Sequence, residues 1–96
     1  MKKKNEVNIA EAIQYFIREH GMEERILESM AIDGWHDQMG DFMKNYTERI
    51  FVKNRVLFIK LNSPALKNEL NYGKTKILDY INQFIGKTYL EDVQFL

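Results

Sequence analysis

The 96-residue sequence contains no cysteine, a single proline and only two histidines, and these shortages exclude more than any motif does. Without cysteine there is neither a disulfide framework nor a thiolate metal site. No uncharged apolar run is long enough to span a bilayer, and Lys2-Lys3-Lys4 is followed by polar Asn5 and Glu6, not by an apolar signal core. A cytoplasmic protein is therefore expected. Net charge is absent too, since 14 basic and 14 acidic residues cancel, so the total singles out no polyanion, membrane surface or acidic substrate as partner.

What is present is an ordinary globular composition, 45% hydrophobic and 29% charged, in a chain too short for two self-sufficient cores. One domain over residues 8–96 is expected, behind a disordered basic tail over 1–7. The charges are not mixed evenly along it. Residues 5–46 hold three basic and nine acidic side chains, a net −6; residues 49–76 hold seven basic and one acidic, a net +6. Two solvated faces that attract each other would explain this, and so would a basic surface for a polyanion beside an acidic one for another partner.

Hydrophobic spacing divides the chain. Asn8 with Glu11 resembles a capping box, and Ile9, Ala12, Ile13, Phe16 and Ile17 then repeat at helical spacing until His20-Gly21, predicting a helix over 9–20. Leu27, Met30, Ala31, Trp35, Met39, Phe42 and Met43 form a second stripe, predicting a helix from 22 to about 39 with a further turn to Tyr46. Gly34 and Gly40 interrupt it, so one of them should mark a bend or a close contact. From Thr47 the period becomes two. Two strands follow, turning at Asn54-Arg55, and only an odd register such as Lys53 opposite Val56 puts Ile50, Val52, Leu57, Ile59 and Leu61 on one face. Ser63 then caps a helix opened by Pro64 and carried by Leu66, Leu70, Ile77, Ile81 and Phe84 to Gly86, and Tyr89–Leu96 reads as a third strand. The expected fold class is α+β in the order ααββαβ: a helical lead-in, then a three-stranded sheet packed on a long helix, with Trp35 in the core.

No catalytic set emerges. His20 and His36 lie in different parts of the helical half, and His36 and Asp37 diverge by about 100° on a helix. Asp33, His36 and Asp37 have a metal-ligand spacing, but Gly34 and Trp35 stand among them and no second cluster exists. Gly73-Lys74-Thr75-Lys76 is similar to the end of a phosphate-binding loop without its first glycine or its preceding strand. No enzyme, metal or cofactor is expected. The hairpin is the informative constellation, because the odd register places Phe51 opposite Phe58 on the face away from the Ile/Leu core, flanked by Arg49, Lys53 and Lys60. Rings between cations suit single-stranded nucleic acid, where bases stack and phosphates meet ammonium and guanidinium groups. Arg55, Lys67 and Lys74 are the further candidates in the basic half. Alternatively the first helix, or a partner subunit, covers the two rings; that helix must otherwise bury its apolar face against the Trp35 helix.

Trp35-x4-Gly40, Val56-Leu57, Asn62-Ser63 running into Leu66-x2-Glu69-Leu70, Asn82-x3-Gly86 and Val93-Gln94-Phe95 form an ordered string over about residues 8–96 that resembles the DciA family. The resemblance implies a KH-like fold, a role in bacterial DNA replication, and assistance to a DnaB-type replicative helicase on single-stranded DNA, with Trp35, Gly40, Ser63, Glu69, Leu70 and Gly86 as structural positions. The sequence departs from the family at Leu66, where an aromatic is common, and at Asn54-Arg55, which replaces a turn glycine; the basic tail of longer members is absent. Of a KH domain's Gly-x-x-Gly loop only Gly73 has a counterpart, so no phosphate clamp is expected there. The other function class considered is a protein-interaction adaptor that docks a basic partner on its acidic helical half and binds no nucleic acid.

Overall fold

The computed structural model describes the backbone from Lys4 and the side chains from Asn8, both through Leu96. Helix α1 (Lys4–Glu19) ends in a left-handed Gly21, where the Gly21 N–H bonds the Arg18 carbonyl and the Met22 N–H bonds that of Ile17. This paired closure satisfies carbonyls that the helix end would leave open. The helix starts at Lys4 and not at Ile9, and residues 1–3 of the expected tail lie outside the described residues. Nothing between Lys4 and Asn8 is a helix breaker, and each residue added backwards gains a hydrogen bond without a new nucleus. Asn8 is thus interior to the helix, not its cap.

Helix α2 (Glu23–Met39) opens with Glu23 and Glu24 at its positive end and stops at Gly40, whose φ of +74° suits glycine. A 3₁₀ turn (Asp41–Tyr46) leads into strands β1 (Thr47–Lys53) and β2 (Val56–Leu61). They pair antiparallel in the odd register, with Lys53 opposite Val56, Phe51 opposite Phe58 and Ile50 opposite Ile59; an irregularity between Thr47 and Arg49 bulges β1 at Glu48. Both turn residues have positive φ, +53° at Asn54 and +64° at Arg55, as a type I′ hairpin turn requires.

The single helix expected from Ser63 to Gly86 is two: α3 (Pro64–Tyr72) and α4 (Lys74–Ile85), parted at Gly73. Glycine is a poor helix former, and the break lets α3 lie on β2 and β3 while α4 packs along α2. Strand β3 (Asp92–Phe95) then joins β2 in parallel, giving the mixed sheet order β1-β2-β3. The α+β class and the three-stranded sheet are as expected.

The core lies between one sheet face and two helices. Leu57, Ile59, Val93 and Phe95 meet Ala31 and Trp35 of α2 and Ile77, Ile81 and Ile85 of α4. Trp35 is fully buried, its ring centroid 5.8 Å from that of Phe95. Gly34 makes the close contact: a Cβ there would stand 3.1 Å from Phe84 Cδ1 and 3.2 Å from Ile81 Cγ2. Helix α1 joins none of this. Its Ile9, Ile13 and Phe16 are exposed and only Ile17, beside Ile26 and Leu27 at the start of α2, is half-buried, so its apolar stripe lies neither on the hairpin nor along the Trp35 helix, and the molecule measures 58 × 25 × 22 Å.

Candidate nucleic-acid interface

Strand alternation builds the outer face. With Ile50 and Val52 turned to the core, Arg49, Phe51 and Lys53 of β1 point the other way, as do their partners Lys60, Phe58 and Val56 of β2. Phe51 and Phe58 are half-buried and stacked, their centroids 5.1 Å apart and their planes 16° from parallel. The Arg49 guanidinium lies over the Phe51 ring at 4.7 Å, a cation–π contact that extends the stack. Of the arrangements open to these rings, cover by α1 is not the one observed.

Charge on this face is graded. Arg49 and Lys53 are exposed on the β1 side, whereas Lys60 shares its charge with Glu48 of the bulge at 3.7 Å. On the β3 side, Asp92 and Gln94 stand opposite Val56 and Phe58. Burial pushes the Asp92 carboxyl up, but the hydrogen bonds from Gln94 and the Val93 N–H, with the Lys74 ammonium at 3.4 Å, outweigh it and hold the group below the usual carboxylate range. Asp92 therefore keeps its negative charge at neutral pH and neutralises Lys74 at that margin. An anionic chain would be favoured along β1 and disfavoured along β3.

The candidates do not all converge. Arg49, Phe51, Lys53, Phe58 and Lys60 share the face, and Lys74 reaches its β3 margin. Arg55 turns away: its Nε donates to the Tyr89 carbonyl at 3.0 Å and its guanidinium sits 5.4 Å from the Tyr89 centroid. There it borders an open cavity with Glu24, Glu28 and Glu91, an acidic setting. Lys67 belongs to α3 and not to the hairpin.

Among the structural positions, Ser63 Oγ accepts the Leu66 N–H at 3.3 Å, and Gly86 closes α4 at φ +90°. Leu70 packs against the core, while Glu69 is exposed. Sequence reasoning missed the work of Asn82, whose amide donates to the Leu90 carbonyl and accepts the N–H groups of Tyr89 and Leu90, bracing α4 to the approach to β3. It also missed Asp92 and Gln94, whose place on the face depends on the parallel register of β3. Asp37, considered as a metal ligand, accepts the Tyr80 hydroxyl at 2.7 Å, and among the described residues no cluster of metal-ligating side chains forms.

Fold and face together define a small α+β domain whose sheet turns one side to its core helices and offers, on the other, an aromatic pair between cations. The family model described as "Dna[CI] antecedent, DciA" matches residues 8–95, and the chain belongs to the DciA family. No curated protein matches it. The family acts in replicative-helicase loading during DNA replication, is associated with the DnaB helicase, and is an accessory family and not one of catalytic enzymes. A DNA-replication family implies a cytoplasmic protein. Separately, no described helix is long and apolar enough to cross a membrane.

Proposed function

We propose that the chain assists a DnaB-type replicative helicase by holding single-stranded DNA on the outer face of its hairpin. The observation that carries this reading is the Arg49–Phe51–Phe58 stack, half-exposed and flanked by Lys53 and Lys60. Bases stack on aromatic and guanidinium planes, while the two ammonium groups meet phosphates. Asp92 repels the phosphate backbone from the β3 side, so the strand follows β1.

Fluorescence-anisotropy titration with a labelled oligo(dT) tests this. Weak binding that falls steeply with salt is expected, because each neutralised phosphate releases counterion. Arg49, Lys53 and Lys60 all changed to Glu should abolish it. Phe58→Ala should weaken it by about 1 to 3 kcal/mol per lost stacked base, while its urea midpoint reports a stability change within about 1 kcal/mol. Equal binding by the folded triple variant, or a Phe58→Ala variant that loses several kcal/mol of stability and no affinity, would overturn the reading.

A further inference from the structure

Helix α1 presents an unusual problem for a water-exposed element. Its Ile9, Ile13 and Phe16 side chains are 62%, 55% and 53% exposed, although a lone helix of this length is marginal in water. Ile9, Ile13, Phe16 and His20 follow one another at intervals of four, three and four residues, the a/d repeat of packed helix pairs, with Ala10, Ala12 and Ile17 on the flanks. His20 completes the seam as an aromatic: its ring is stacked on Phe16 at 4.0 Å, and its Nδ1 is 2.9 Å from the Phe16 carbonyl.

We propose that two copies of the chain associate reversibly through α1, packed antiparallel. The stripe is self-complementary under a two-fold axis between Gln14 and Tyr15. That axis sets Ile13 of each copy against Phe16 of the other, and Ile9 against His20, in four consecutive layers. Ile17 continues the stripe into a cavity of about 260 Å³ that Ile26 and Leu27 also line, along the path the other copy's first turns would take. Charge decides the direction. A parallel pair would bring together the two copies' Glu23, Glu24 and Glu28 at the start of α2, whereas the antiparallel pair holds these groups at opposite ends. The stripes of two copies cover roughly 1,000 Å², the low end for specific interfaces, so the dimer dissociates on dilution. It carries two hairpin faces, one at each end.

Sedimentation velocity of the full chain, without DNA, tests this independently of the nucleic-acid reading. Between about 5 and about 500 μM the mass should rise from that of one chain to that of two. Ile13→Gln and Phe16→Gln, which keep helix propensity, should each raise the dissociation constant by at least about tenfold with Trp35 fluorescence unchanged. The chain has no cysteine of its own, so engineered thiols report register. Ile13→Cys mixed with Phe16→Cys should oxidise to a heterodimer, and Ile9→Cys alone should form no covalent dimer. A single-chain mass at every concentration, a dimer indifferent to both Gln substitutions, or covalent dimers of Ile9→Cys would overturn the proposal.

Discussion

Tyr89 is 1% exposed, yet its hydroxyl donates to Glu24 Oε2 at 3.0 Å and its backbone binds Arg55 and Asn82. Burial, helped by the Glu24 hydrogen bond, pushes its phenol from 10.0 up to about 12. A phenol with a higher pKa folded than unfolded favours the fold while it is protonated. That contribution is whole below pH 10 and is lost as pH climbs through 12. Urea midpoints compared across this window should therefore fall more for the wild type than for Tyr89→Phe. At pH 8, where both rings are neutral, the substitution should cost about 1 kcal/mol for the lost hydrogen bond. A parallel decline of the two proteins with pH would assign the alkaline loss to other groups.

Between elements, the α2–α4 contact turns on Gly34. A Cβ there meets Phe84, which is partly exposed and can swing aside, and Ile81, which is fully buried and cannot. Gly34→Ala should therefore destabilise by about 1 to 3 kcal/mol despite alanine's better helix propensity, and a chemical melt at unchanged m-value checks it. That one of the two glycines, Gly34 or Gly40, marks a bend or a close contact was legible in the stripe they interrupt; which one makes the contact was not, because α4 lies nearly fifty residues away. The hairpin register was legible for a local reason: Ile50, Val52, Leu57 and Ile59 can share a face only with an odd pairing sum. Its turn type was not, since Arg55 keeps positive φ while anchored by the Tyr89 carbonyl and by the Glu91 N–H on its own carbonyl. The same contact removes Arg55 from the candidate face. The break at Gly73 escaped because the apolar stripe is continuous through it, and only packing on different partners parts α3 from α4.

At the scale of the whole molecule, the projecting α1 sets the dimensions. The Cα radius of gyration is 16.6 Å, against about 12 to 13 Å for a compact chain of this length. Small-angle scattering from the Ile13→Gln variant should give a value near the larger figure; one near the smaller would show α1 folded back on the body. The bulge at Glu48 has a consequence of another kind. A three-stranded sheet has two open margins, and a straight, apolar margin is a template on which further chains add strands. Here the β1 margin is kinked at Glu48 and carries charged Arg49 and Lys53, and β3 is only four residues long. Crowded copies of this chain are thereby kept from stitching their sheets edge to edge into fibres.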